Sequence, residues 1–139
     1  MSKRRLIDTN LIVRYLVQDH EKHAKAAEKL FEACDRGELA IVVLPAVLAE
    51  CVFVLDSFYG RARADIASAL GTLISSPGVE ISDAAVHLDA LKRYRQTKVH
   101  FVDCLIAATA AAQNTPVATP LPTFDQDFRK FPDVRVENQ

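Results

Sequence analysis

The sequence predicts an α/β domain in which a parallel sheet of four to five short strands lies between two layers of helices. Short apolar segments alternate with longer segments of helical periodicity along the 139 residues, as expected where helical crossovers connect successive strands. The strand-like segments are apolar throughout, which is typical of parallel strands covered on both faces. No repeat or linker divides the chain, so we expect one domain over residues 1–139.

The first half of the chain predicts two strands and four helices. A short strand over residues 5–7 ends at Asp8, and a helix follows Asn10 because Leu11, Ile12 and Tyr15 recur at helical spacing. The next elements are a helix over residues 21–36, a strand over 39–44, and helices over 45–59 and 63–75.

The second half predicts three strands and two helices. Ser82 is expected to cap a helix that runs to residue 96, and an alanine-rich helix follows over residues 102–113. The predicted strands cover residues 79–81, 116–118 and 134–136.

Composition restricts the function. Half of the residues are hydrophobic, enough for a core, and the net charge of −1 argues against binding nucleic acid through bulk positive charge. The three cysteines are widely spaced and include no C-x-x-C motif, so we expect neither disulfides nor a zinc site. No signal peptide or membrane span is indicated, and we expect a cytoplasmic protein.

Four carboxylates are not readily explained as solvated helix charges. Asp8 closes the first strand, where ligands bind in parallel α/β folds, although Asp8, Thr9 or Asn10 could also simply cap the next helix. Glu50 has only apolar residues three and four positions away on either side, which predicts a buried or cleft position, although it could also be a lone charge on a partly exposed helix.

The other two carboxylates have stronger structural alternatives. Asp103 is the only charged residue between Val102 and Gln113, but an acidic residue in a first helical turn is also favoured by the helix dipole. Asp125 could cap a last helical turn, and Asp127 competes with it for either role.

Together these acids indicate one metal site. Four carboxylates that converge would repel each other unless cations lie between them, and all-oxygen ligation selects Mg²⁺ or Mn²⁺ over zinc. Such ions neutralise a phosphodiester and activate water for in-line attack, so no protein nucleophile is needed.

These segments make the sequence resemble a PIN domain of the VapC toxin type. The resemblance extends along nearly the whole chain, and its four motifs occur in the family's order and at its separations. The motifs are LIDTN at residues 6–10, VLAECVFVL at 47–55, FVDCLIAA at 101–108 and TFDQDF at 123–128.

The resemblance implies an α/β/α sandwich and a metal-dependent endoribonuclease, acting as a homodimeric toxin inhibited by a small VapB-type antitoxin. It also implies that the metals are surrounded by Asp8, Glu50, Asp103 and Asp125, supported by Asn10 and Thr123. One departure is the insertion of Pro120-Leu121-Pro122 before the fourth motif. Because proline cannot donate to a strand ladder, the fourth strand is expected to end early, and the choice between Asp125 and Asp127 stays open.

A basic stretch over residues 92–98 has two interpretations. Arg93, Arg95 and Lys98 could guide RNA phosphates toward Asp103, or the stretch could be a solvated helix end whose charges suit the helix dipole.

The sequence also allows two other functions. One is a PIN fold retained as an RNA-binding or assembly module with little activity, and the intact set of acids argues against it. The other is a different Mg²⁺-dependent phosphohydrolase, such as a phosphatase with Asp8 as nucleophile. That motif requires a second Asp two residues later, where this chain has Asn10.

Overall fold

The computed structural model describes residues 3–139, and within them the chain forms six α-helices, five short strands and two 3₁₀ turns. This confirms the α/β class. The chain folds into two compact units, Met1–Ala84 and Ala85–Gln139, called here the N-terminal and C-terminal units. One domain over the whole chain stays a prediction.

The N-terminal unit is built on a three-stranded parallel sheet in the order β1-β2-β3. In this order Arg5 pairs with Ile41, and Ile41 pairs with Val79. The elements in sequence are β1 (Lys3–Leu6), α1 (Thr9–Val17), α2 (Glu21–Asp35), β2 (Leu39–Val42), α3 (Pro45–Ser57), α4 (Arg63–Ser75) and β3 (Val79–Glu80).

The core of this unit lies around the central strand β2. Helix α2 packs against β2, α1 packs against α2 and α3, and α4 packs against α3 and β3. Each large apolar side chain removed from water contributes about 1.5–3 kcal/mol. The almost fully buried ones include Ile12, Ile41, Leu48, Ile66 and Leu70.

Strand β1 differs from the prediction of strands covered on both faces. All four of its residues are exposed, and Leu6 retains 69% of its surface. The physical reason is position, because β1 lies at the edge of its sheet and has one hydrogen-bonded neighbour there, whereas the more buried β2 lies between two.

The C-terminal unit contains two helices and a second parallel ladder. Helices α5 (Ala84–Gln96) and α6 (Phe101–Gln113) precede β4 (Val117–Thr119), which pairs with β5 (Val136–Asn138). The five strands therefore form separate sheets of three and two strands. β4 ends immediately before Pro120, as expected. The segment after it forms 3₁₀ turns over Pro122–Phe124 and Phe128–Lys130.

The core of the C-terminal unit is formed by α5 and α6. The rings of Tyr94 and Phe101 meet edge to face with their centroids 6.0 Å apart. Cys104 and Ala107 are completely buried. Among residues 3–139, every helix falls short of the length or apolarity that a bilayer crossing requires.

Candidate active site

Asp8 combines a structural role with an available carboxylate oxygen. It follows β1 at the N-terminus of α1, where its Oδ1 accepts a hydrogen bond from the Leu11 N–H at 3.0 Å. The helix-capping alternative is therefore confirmed. Asp8 is exposed, and its second oxygen has no protein partner among residues 3–139. The cap fixes the side chain without using up its capacity to bind a cation.

Glu50 is exposed, which corrects the prediction of a buried position and agrees with the alternative of a lone charge on a partly exposed helix. The buried stripe of α3 consists of Leu48, Cys51, Val52 and Leu55, and Glu50 lies off that stripe. Its apolar neighbours misled the prediction because they are themselves open to solvent: Phe53 is 67% exposed. Within residues 3–139 the Glu50 carboxylate has neither a hydrogen bond nor an ion pair.

Besides burial, the charges of Glu50 and Asp8 both raise the pKa of the Cys51 thiol. The pKa of Cys51 is raised to about 12, chiefly by burial and then by the negative charges of Glu50 and Asp8. Both carboxylates follow the carboxyl ends of adjacent parallel strands, β1 and β2. Asp8 and Glu50 are thus two acids of the N-terminal unit whose charges both bear on the Cys51 thiol.

Asp103 lies in the first turn of α6, where the helix dipole favours a negative charge. It is partly exposed and lines a cavity of about 660 Å³ within the C-terminal unit, together with Thr109, Gln113 and Phe128. Its carboxylate has no hydrogen bond or ion pair within residues 3–139. Asp103 is therefore available to a ligand in that cavity.

Asp125 is the most enclosed of the four acids. It is 1% exposed, and its Oδ2 accepts hydrogen bonds from Arg129 Nη2 at 2.8 Å and Asn138 Nδ2 at 3.3 Å. The hydrogen bond from Arg129 is the largest influence that holds the pKa of Asp125 below its ordinary value of 3.8. The carboxylate is ionised and already paired with a protein cation.

A model of the PIN domain matches residues 5–134. The chain belongs to the PIN domain family. A crystal structure described as VapBC2 from Rickettsia felis bound to a DNA fragment from its promoter is similar to the chain, with 18% identity over 98% of each chain and a TM-score of 0.38. No curated protein sequence matches significantly. PIN domains are generally nucleases, which supports a hydrolase that acts on nucleic acid.

The supporting residues predicted for this PIN domain have few contacts. Asn10 and Thr123 are exposed and make no side-chain hydrogen bond within residues 3–139. Asp127 is partly exposed and pairs with Lys130 at 3.4 Å. The roles of these three residues stay predictions.

Arg93 was predicted to contact RNA, and the structure corrects this. It is 8% exposed, its two terminal nitrogens donate to Asp133, and its Nε donates to Asp89. Its guanidinium carbon also lies 5.0 Å from the Phe131 ring centroid. The residue tethers α5 to the segment before β5. Arg95 and Lys98 are exposed, and their contact with RNA stays a prediction.

Among residues 3–139, no group of three or more His, Cys, Asp or Glu side chains is arranged to hold a metal ion. This does not conflict with magnesium chemistry, because Mg²⁺ commonly binds to one or two carboxylates and keeps several waters. Asp8 and Glu50 each have the chemistry for such an ion, since both are exposed acids with a carboxylate oxygen open to a further ligand within residues 3–139. Asp125 fits poorly because it is 1% exposed and its carboxylate is already paired with the Arg129 guanidinium. The convergence of all four acids stays a prediction.

Two residues at the candidate site were missed by the sequence analysis. Arg129 follows Asp125 by four positions, the spacing of neighbours on a helical surface, so this partner could have been predicted. Asn138 reaches Asp125 because β4 and β5 pair in register, with Thr119 opposite Asn138. No local sequence pattern predicts the contact between Asn138 and Asp125.

Proposed function

We propose that this PIN protein is a Mg²⁺- or Mn²⁺-dependent endoribonuclease that hydrolyses RNA phosphodiester bonds as the toxin of a toxin–antitoxin pair. Family membership supports the nuclease class. The observation that supports the metal dependence is that Asp8 and Glu50, whose charges both bear on the buried Cys51 thiol, each keep a carboxylate oxygen without a protein partner within residues 3–139.

Asp8 and Glu50 would hold the ion, and Asp103 would complete the acidic set. A bound divalent ion would neutralise the scissile phosphate and lower the pKa of an attacking water. The cap hydrogen bond from Leu11 fixes the direction of the Asp8 carboxylate, so little conformational entropy is lost when a ligand binds there. Glu50, which has no protein partner within residues 3–139, adjusts to the substrate.

The choice of RNA over DNA rests on the resemblance to VapC-type sequences. So do the VapB-type antitoxin and the homodimer. Two exposed aromatic side chains on and just after α3, Phe53 at 67% and Phe58 at 80%, are consistent with a surface that a second protein covers. With an RNA substrate and a cognate antitoxin, the enzyme would act in the cytoplasm.

One assay tests the catalytic proposal. Purified protein is incubated with structured RNA in Mg²⁺, alongside an EDTA control, the Asp8→Ala variant and single-stranded DNA of the same sequence. We expect RNA cleavage by the wild type alone and only with metal. RNA bound but not cut would support a binding module, and cleavage unchanged in Asp8→Ala would contradict the assigned site.

A separate assay tests the toxin proposal. Expression of the wild type is expected to arrest bacterial growth, whereas the Asp8→Ala variant is tolerated. Rescue by the product of a short neighbouring reading frame that co-purifies with the wild type would support the antitoxin. Normal growth of cells that produce active ribonuclease would contradict toxin status.

A further inference from the structure

The surroundings of Asp125 differ from those of the other three acids. Asp8, Glu50 and Asp103 each leave a carboxylate open to a ligand, whereas Asp125 is 1% exposed and its Oδ2 accepts two hydrogen bonds. A metal ion at that oxygen would have to displace both the guanidinium of Arg129 and the amide of Asn138, and a hydrated ion at the other oxygen would have to enter a site almost closed to solvent. The Asp125 carboxylate therefore holds the side chains of Arg129 and Asn138 in place.

Asp125 is itself held in place by contacts from two segments of the chain. Asn138 Nδ2 donates both to Asp125 and to Thr119 Oγ1, the latter at 2.8 Å, and so ties the carboxylate to the β4–β5 ladder. The backbone N–H of Arg129 also donates to the Asp125 carbonyl at 3.0 Å. These contacts hold the Asp125 side chain and the start of the following turn in one arrangement.

Arg129 is anchored at one nitrogen and otherwise open. Its side chain is 62% exposed although its partner is buried. A guanidinium has five donors in a rigid fork, and the side-chain contact described here uses only Nη2. Phosphate oxygens match the remaining donors, and contacts from arginine to phosphate set the register of a nucleic acid on a protein.

We infer that Asp125 is a positioning residue that holds Arg129 for contact with a phosphate of the nucleic-acid substrate, and that it is not a metal ligand. This inference rests on the proposed function for the existence of a nucleic-acid substrate. It also supplies a phosphate contact in place of Arg93, whose guanidinium is occupied by Asp133 and Asp89. Arg129 is expected to strengthen substrate binding without contributing to metal affinity.

Two binding measurements test the inference. Mn²⁺ affinity is measured by calorimetry on metal-free protein, and the affinity for a labelled single-stranded RNA is measured in EDTA over a range of salt concentrations. The variants are Asp125→Asn, Arg129→Gln and Arg129→Lys. Asp8→Asn is the metal-binding control, and Lys22→Gln, an exposed basic residue of α2, is the matched charge control.

The expected results distinguish a carboxylate that binds the metal ion from one that positions Arg129. Arg129→Gln and Asp125→Asn keep the Mn²⁺ affinity of the wild type, whereas Asp8→Asn loses about tenfold or more. Arg129→Gln lowers the slope of log affinity against log salt by about 0.7, the share of one phosphate contact on a single strand. Lys22→Gln leaves the slope unchanged, and Arg129→Lys retains most of it.

Several results would overturn the inference. A loss of Mn²⁺ affinity in folded Asp125→Asn, or tighter Mn²⁺ binding in Arg129→Gln, would make Asp125 a ligand that competes with Arg129. An Arg129→Gln slope equal to that of the wild type would remove the phosphate contact. Arg129 lies on the surface, so its variants stay informative even if Asp125→Asn fails to fold.

A different result would contradict the proposed function. Wild-type protein that binds RNA but does not cut it in Mg²⁺ would remove the nuclease and leave the Arg129 contact standing. Wild-type protein that binds no RNA would remove both.

Discussion

The Asp8 carboxylate accepts a hydrogen bond from the backbone N–H of Leu11 at 3.0 Å, so the same side chain caps α1 and presents an acid at the candidate site. The two roles can be separated by substitution. Asp8→Ala is expected to lose both activity and about 1 kcal/mol of stability, the usual cost of a lost N-cap.

Asp8→Ser is the matched variant, because serine caps helices well but is a poor ligand for a hard cation. It is expected to keep nearly the wild-type free energy of unfolding in urea while RNA cleavage falls by at least about 100-fold, since even partners outside the coordination sphere cost about 10–100-fold. Cleavage restored by Ser would show that Asp8 matters only as a cap.

Glu50→Gln is expected to leave stability within about 0.5 kcal/mol of the wild type, because the carboxylate is exposed and makes no protein contact within residues 3–139. RNA cleavage should nevertheless fall by about 100-fold or more. Asp56→Asn, an exposed acid on the same helix, is the control and should retain full activity. Equal activity in both variants would remove Glu50 from the site.

Arg93→Ala is expected to destabilise the protein by about 1–2 kcal/mol, because it removes a buried side chain that hydrogen-bonds Asp133 and Asp89 and packs on Phe131. The neighbouring Arg95 is exposed, and Arg95→Ala should change stability by no more than about 0.5 kcal/mol. Urea unfolding compares the two directly. A stable Arg93→Ala protein with weakened RNA binding would restore the original RNA-contact prediction.

Stability should fall in acid partly through Asp133. The hydrogen bond from Arg93 holds the folded-state pKa of Asp133 below its ordinary value of 3.8. A lowered carboxyl pKa contributes stability above the ordinary value, and that contribution is lost as the pH falls through the folded pKa. The wild type should therefore be more stable than Asp133→Asn at neutral pH, with the difference shrinking below about pH 4.

The pH measurement has an internal control. Asp133 is 56% exposed, so added salt should reduce the difference between wild type and variant at neutral pH. A difference that grows as the pH falls would contradict the assigned sign.

The helices could be predicted from the sequence because their signals are local. The spacing of apolar residues predicted residues 63–75 as a helix, and α4 covers Arg63–Ser75. The strand before the fourth motif, β4, ends immediately before Pro120, as the proline predicted. The last strand was placed two residues too early, because β5 (Val136–Asn138) is defined by its pairing with β4 and carries a weak pattern of its own.

The errors at the site come from contacts that the local pattern does not contain. Apolar neighbours suggested that Glu50 was buried, but burial follows the stripe of α3 that faces the core. A run of basic residues suggested that Arg93 was solvated, but Asp133, forty positions away, pairs with it. Both errors concern which face of a helix is covered, and that depends on tertiary packing.

Mn²⁺ calorimetry on metal-free protein measures whether Asp8 and Glu50 bind a divalent ion. Wild-type protein is expected to bind Mn²⁺ and to be stabilised against heating by it, with Asp8→Asn and Glu50→Gln each weakening the affinity by about tenfold or more. Mn²⁺ binding that survives both substitutions unchanged would contradict the account.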